Sequence, residues 1–479
     1  MTILVFAFII LLSLAVAVLS RFGHNVVDIE QYLVAGRSFG GVLLFFLAVG
    51  EIYSIGTMIG FPGGIYAKGA SYGIWFLGYI LLAYPVGYFL APLMWRAAKK
   101  YDAMTLPDLF GRHFSSRGLE ALTAIAAIVF LIPWGQLQFT GLEVAISGLG
   151  LNISTNVAIV ASGAIAFIYI ALSGVRAPAF VSIVKDICMV AGIVIVGTAA
   201  VASSQGIHHL FQAAAAHHVS ATMSGAALTF AVTTIVFQAL GFYLFPFTAQ
   251  FVFTARSEAT VKRTQTFMPL YMLMYPFLVF ASYYALSAVP HLANPNTAFI
   301  AASRKLLSPW LLGLVAGGAA LSAILVLTAI SLGVGALVSR NLLPHLPGEA
   351  QRRWTQIVVA VYLLLSMGLT LFTPTLMLTL INTAYFGITQ SLPGVLAILF
   401  ARRVQPLAVA LGIVVGDVLA VALYLAQVNW SGINLGLVAL VVNFVVTYGV
   451  SYLWPLKRPL VPVATEEAVP VAMARPGSS

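Results

Sequence analysis

Again and again along this chain, about twenty residues pass with almost no charge. Thirteen such stretches lie at about 3–19, 41–66, 72–95, 119–147, 155–173, 178–203, 222–253, 264–288, 308–339, 354–373, 375–400, 405–426 and 431–454. A bilayer core of about 30 Å needs roughly 20 apolar residues to cross it as helix. Each helix also satisfies its own backbone hydrogen bonds, which lipid cannot do. The pattern therefore predicts an all-α polytopic membrane protein with about 13 transmembrane helices. Composition agrees: 61% of the 479 residues are hydrophobic and only 8% are charged. Globular domains carry roughly 25% charge. A soluble protein, a disordered chain and a disulfide scaffold are all excluded. The lone cysteine, Cys188, lies in an apolar run and allows no intrachain disulfide or cysteine metal cluster.

Net charge is +10. In a multi-pass protein this reads as basic inner loops, not as a nucleic-acid surface. Placing the N-terminus outside and alternating spans puts 19 of the 23 Lys and Arg residues inside, three outside (Lys68, Arg304, Lys305) and Lys185 within a span. One span more or fewer would scramble that partition. The C-terminus is thus expected in the cytoplasm. The first stretch has no Lys or Arg before it and no Ala-x-Ala site after it, so it reads as a retained helix.

Two spans are interrupted. The second is crowded by Gly50, Gly56, Gly60, Pro62, Gly63 and Gly64, and the seventh carries Gly241 and Pro246 near its middle. Glycines can simply let helices pack closely. A matched pair five spans apart instead suggests an inverted repeat whose broken helices build a site at mid-membrane. The expected organisation is 1–40 (first helix and linker), 41–203 and 204–400 (two five-helix repeats), 401–456 (two peripheral helices) and 457–479 (a disordered tail).

Several motifs carry a resemblance. QYLVAGRS (31–38) and MTLPDLFGRHF (104–114) are similar to signatures of the sodium:solute symporter family. VGEIYSIGTMIGFPGGIYAKGA (49–70), LIPWGQLQFTG (131–141), SGVRAPAFVSIVKD (173–186), LGFYLFPFTAQFVFTARS (240–257), VSRNLL (338–343) and ITQSLPGVLAIL (388–399) resemble its bacterial monocarboxylate permease branch. The resemblance implies a LeuT-like 5+5 inverted repeat with broken second and seventh helices. It also implies secondary active transport, a bacterial inner-membrane location, no resident cofactor, and H+ or Na+ as coupling ion. In the family, sodium sits between backbone carbonyls of the second span and small hydroxyl residues of the ninth. Gly50 and Tyr53 would supply the carbonyls, but the hydroxyl positions fall at Leu325 and Val326. Ser322 and Thr328 are nearby and not adjacent. Sodium prefers several oxygens, so the resemblance implies sodium while these residues argue against it.

Charge inside the bilayer costs about 2.5–3.5 kcal/mol per residue on insertion scales. Glu51, Lys185, Asp186 and Asp417 lie within spans, and Glu143 lies near a span end. Glu51, beside the first break, is a candidate proton carrier, because burial disfavours the charged carboxylate, or a structural acceptor. Lys185 reads as a snorkelling lysine, with pairing to Glu51, capping of carbonyls or attraction of an anion as alternatives. Lys185 and Asp186 point about 100° apart and are not expected to pair with each other. Asp186 is a candidate for ion release, and Asp417 a peripheral structural group.

A small organic anion needs hydrogen-bond donors and an apolar wall. Tyr53, Ser54 and Thr57 flank the first break, and Gln238 and Tyr243 the second. Of Gln136 and Gln138, two residues apart on the fourth span, one should face the cavity, and the resemblance favours Gln138. Phe242 and Phe245 are candidate gates, and Asn382 and Gln390 are weaker lining candidates. Ion coupling is expected from Glu51, Asp186, Gly50, Tyr53, Ser322 and Thr328. The expected function is cation-coupled symport of an organic anion by a monomer in contact with membrane lipid. The alternative is sodium-coupled symport of a neutral solute such as an amino acid or sugar. No HExxH or P-loop motif occurs, and the eight histidines fall in loops or at span ends. An intramembrane enzyme and an ATP-driven pump are therefore not expected.

Overall fold

The computed structural model of the protein describes residues 1–19, 37–150, 154–172, 176–216, 223–373 and 375–465. Most of the 31–38 motif lies outside the described residues. Eleven helices are long and apolar enough to cross a membrane, and two shorter apolar helices, Gly41–Gly50 and Asn156–Ile168, fall in the second and fifth stretches. Each of the expected spans therefore has its helix.

The first span is Thr2–Leu19. The second comes in pieces: Gly41–Ile52, a π-helical turn Gly56–Gly60, and Phe61–Lys68. The third, Ala70–Lys100, leads through a short helix, Leu106–Phe114, to the fourth, Arg117–Ser147. The fifth is Thr155–Leu172 and the sixth Arg176–Ser203. The seventh is again broken, into Gly225–Gly241, a 3-10 turn Phe242–Leu244, and Pro246–Thr254. The eighth combines Glu258–Phe267, the 3-10 stretch Met268–Met274 and Tyr275–Ala288. The ninth is Pro309–Ala336 with a π-helical end, Leu337–Leu342. The tenth is Gly348–Phe372, the eleventh runs from Met377 to Phe400 through a 3-10 turn, and Pro406–Leu425 and Leu435–Leu453 complete the set.

Chemistry explains the breaks. Pro246 has no N–H, and the residue before a proline is pushed out of the helical region. Phe245 accordingly has φ −60° and ψ 134° and caps a new half-helix that starts with Pro246. In the second span the chain leaves the helix at Tyr53 (ψ 80°), and Ser54 Oγ accepts from the N–H of Gly56 at 3.2 Å. Pro62 causes no break there. It sits in the first turn of the following helix piece, where a missing N–H costs nothing.

The ninth span is buried along its length, whereas only 22% of the apolar window of the first and tenth spans is buried. The ninth is therefore the central post, while the first and tenth face lipid, with Phe8 and Leu364 exposed. The segment 457–465, expected to be disordered, is held instead. Leu456 and Leu460 donate to the carbonyls of Arg403 and Arg402 at 3.1 and 2.7 Å, and Val463 is buried. Residues 466–479 lie outside the described residues.

Candidate functional site

The two breaks face a buried aromatic cage. Tyr53 stacks on Tyr271 with ring centres 5.1 Å apart, and its hydroxyl meets that of Tyr84 on the third span. The Tyr53 hydroxyl also reaches Met272 Sδ at 3.2 Å. Phe245, at the second break, packs on Tyr385 at 4.7 Å and on Trp134 at 4.8 Å. Phe242 lies 6.3 Å from Tyr79. Both candidate gates thus close against aromatic partners. Thr57 is fully buried next to Tyr275.

The glutamines divide. Gln136 Nε2 donates to the Thr373 carbonyl at 2.9 Å and so ties the fourth span to the tenth. Gln138 is fully buried, and neither of its amide atoms has a partner among the described residues. Two sequence candidates are engaged elsewhere, Gln238 through its Nε2 alone. Tyr243 hydrogen-bonds Gln265 and lies flat against Gly87, which a Cβ there would strike. Gln238 donates to Asn382 at 3.1 Å, and Asn434 joins the same cluster at 3.0 Å. Gln390 pairs with Asn443 and the Gly436 carbonyl, holding the C-terminal helices. Ser322 and Thr328 donate to carbonyls four residues back on their own helix, Gly318 and Ile324. Glu143 accepts from Ser147 at 2.9 Å.

At the first break sits a cation that belongs to the protein. Lys185 Nζ donates to the Gly50 carbonyl at 3.1 Å, the Tyr53 carbonyl at 2.6 Å and Asp186 Oδ1 at 2.7 Å. The expectation that Lys185 snorkels is corrected. The sixth helix starts at Arg176, so Lys185 lies about 14 Å along it, and the side chain is wholly buried. The expectation that neighbours cannot pair also fails. The four-carbon lysine stem bends around the helix to reach Asp186, which the 100° between Cβ directions did not anticipate. Tyr271 lies beside Asp186, so this pair touches the cage through the same ring that stacks on Tyr53. Gly50 has no room for a side chain: a Cβ would meet Ser182 Cβ at 2.7 Å and Leu325 Cδ2 at 3.4 Å. Glu51 lies on the same turn, and its side chain lies outside the described residues.

A second cluster escaped the sequence reading, although both of its motifs had been noticed. Thr105 and Asp108 form a capping box for the helix Leu106–Phe114. Asn341, on the π-helical end of the ninth span, donates to Asp108 Oδ1 at 2.7 Å and Glu120 Oε1 at 2.8 Å, and accepts from Thr105 at 2.9 Å. Arg340 adds an ion pair to Asp108 at 3.2 Å. A cavity of about 360 Å³ opens there, lined in part by Arg112, Arg117 and Gln351. It lies among the basic loops, away from the breaks. Nearby, Phe39 donates to the Thr254 carbonyl at 3.1 Å and accepts from the Arg256 N–H at 3.2 Å in an isolated bridge opposite Ala255, and Trp95 Nε1 donates to the Ala255 carbonyl at 2.8 Å.

Comparisons with known proteins agree with this architecture. The sequence model of the sodium:solute symporter family matches residues 32–432. The uncharacterized symporter YhjB of Bacillus subtilis is 27% identical over 466 residues, covering 92% of this chain and 95% of its own. A monocarboxylate transport permease protein of Rhizobium johnstonii is 29% identical over 328 residues, covering 66% of this chain and 65% of its own. The solved structure of a Na+-coupled sialic acid symporter, in a substrate-bound outward-open state, superposes with a TM-score of 0.75 at 15% identity, covering 96% of this chain and 98% of its own. That likeness bears out the LeuT-like fold expected from the sequence.

Proposed function

The chain belongs to the sodium:solute symporter family, and from that premise we propose that it takes up a small organic anion, a monocarboxylate such as lactate, pyruvate or acetate, driven by a cation gradient. It is a multi-pass membrane protein of a transporter family and not an enzyme. The observation that carries the solute reading is the cage between the breaks. Gln138 offers an unused amide, and the half-helix at Pro246 starts with no side-chain cap. Such a helix start favours a carboxylate, while Trp134, Phe245 and Tyr385 offer an apolar wall for a short carbon chain. The name of the Rhizobium relative supports the same class.

The coupling ion in this reading is H+ or Na+. Family membership favours sodium. The apolar Leu325 and Val326 and the committed carbonyls of Gly50 and Tyr53 favour the proton. Glu51 is the proposed proton carrier. The lysine and arginine distribution supports an inner-membrane protein with its N-terminus outside and its C-terminus in the cytoplasm, working as a single chain. Transport would proceed by alternating access, with the broken helices rocking against the remaining spans.

One observation favours a neutral solute instead. The described polar groups around the cage, phenols, the Thr57 hydroxyl and an amide, carry no charge, and the cation at the first break, Lys185, is bound to Asp186. Counterflow in proteoliposomes separates the two readings without any imposed gradient. Exchange of labelled lactate, pyruvate or acetate supports the anion. Exchange of amino acids or sugars alone, with none of the three acids, rejects it.

A further inference from the structure

We propose that the Lys185 ammonium is a built-in replacement for the sodium ion, holding the broken second span to the sixth so that sodium has no place at this break. The inference rests on the resemblance to the family, which implies a sodium ion between the second and ninth spans. The residues of this chain do not fit that ion. The two carbonyls it would use, those of Gly50 and Tyr53, accept from Lys185 at 3.1 and 2.6 Å. An ammonium has three protons to donate, and Asp186 takes one at 2.7 Å. The ninth-span side of the position is closed by hydrocarbon. Leu325 and Val326 are buried there, and Leu325 Cδ2 is against Gly50. The hydroxyls of Ser322 and Thr328 are turned back onto their own helix.

A fixed ammonium does the mechanical part of what a bound ion does. It neutralises two carbonyls that the break has stripped of helical partners, and in lipid such groups cannot be left bare. Its own burial is matched by a carboxylate on the same helix, which avoids an uncompensated charge. The elements packed against the sixth span bring few other ionisable groups. The second span brings Glu51 and Tyr53, and the eighth brings Tyr271, Tyr275, Tyr283 and Tyr284. The first and ninth helices have none within their lengths. Arg304 and Lys305 sit on the helix Ala298–Leu306, and His208 and His209 on Ile207–Ala216. Because the tether ends on the Tyr53 carbonyl, it also fixes the residue whose ring forms one wall of the cage.

The test compares wild type with Lys185→Ser in two readouts on purified protein. These are binding of radioactive sodium, and thermal stability in sodium chloride against potassium chloride at equal concentration. Wild type is expected to show no saturable sodium binding and the same Tm in either salt. Lys185→Ser, which removes the ammonium and leaves a small hydroxyl, is expected to melt lower and to recover part of the loss in sodium only. Saturable sodium binding by wild type at the affinity of Lys185→Ser would overturn the proposal. So would a Tm for Lys185→Ser equal to that of wild type in potassium. Should the variant fail to fold, wild type decides alone: a Tm raised by sodium over potassium rejects the ammonium as occupant, and equal Tm values uphold it. Counterflow on the same preparation keeps the two readings apart. Absence of lactate, pyruvate and acetate exchange rejects the solute class and leaves the sodium result standing.

Discussion

Gln136 and Gln138 are two residues apart on one helix and hold different offices. Gln136 bridges to Thr373, whereas Gln138 is fully buried and keeps its amide unused among the described residues. Gln136→Leu is expected to cost about 0.5–1.5 kcal/mol of stability, the range for one hydrogen bond, and to leave the KM for solute unchanged. Gln138→Leu should leave Tm unchanged and raise KM about tenfold, equivalent to about 1.4 kcal/mol of binding. Equal effects of both variants on KM would show that Gln138 has no special place. His113, in the loop helix after the third span, makes a pH prediction. Burial, aided by Lys100, pushes its pKa down to about 4. An unfolded-state histidine titrates near about 6.5. Below that pH the unfolded chain takes up a proton that the folded protein refuses, so stability falls as pH drops from about 6.5 toward 4. His113→Gln should flatten that part of the profile; an unchanged slope would assign it to other groups.

Between elements, the contact of greatest reach joins the helix Leu106–Phe114 to the end of the ninth span. Asn341 serves two buried carboxylates, Asp108 and Glu120, at once. Hydrogen bonds to charged groups contribute about 1.5–3 kcal/mol each. Asn341→Ala should therefore lower stability by about 2–4 kcal/mol in a denaturation series, and an unchanged midpoint would contradict the bridge. None of this could be seen in the sequence, because Thr105 and Asn341 are 236 residues apart and no local periodicity reports so distant a pairing. The broken helices were legible for a local reason. Pro246 dictates its break through its own ring, and the glycines of the second span mark the right stretch. Gly50 and Gly56 straddle the residue where the chain departs from helix, Tyr53, whereas Pro62, nine residues further on, sits inside the next helix piece. Lys185 was legible as a buried charge and not as a partner of Asp186, since helix-wheel geometry omits side-chain length.

For the whole molecule, the spacing of apolar stretches and the paired interruptions of the second and seventh spans carried most of the fold. Apolar spacing is a global pattern that lipid imposes on any spanning chain. The proposed orientation predicts that, in a Cys188→Ser background, a cysteine at Thr2 reacts with an impermeant maleimide on intact cells and one at Arg353 does not. The reverse labelling would invert the molecule. The solute and its coupling are less legible, because they depend on which buried polar groups remain unspent after folding. The central claim is that a cation gradient drives a small organic anion through this cage without sodium at the first break. It is tested most directly by accumulation of labelled lactate, pyruvate and acetate in proteoliposomes, with proton and sodium gradients imposed separately. The account predicts accumulation with the proton gradient alone, lost in Glu51→Gln, and no response to sodium. Accumulation that requires sodium and ignores the proton gradient would contradict it.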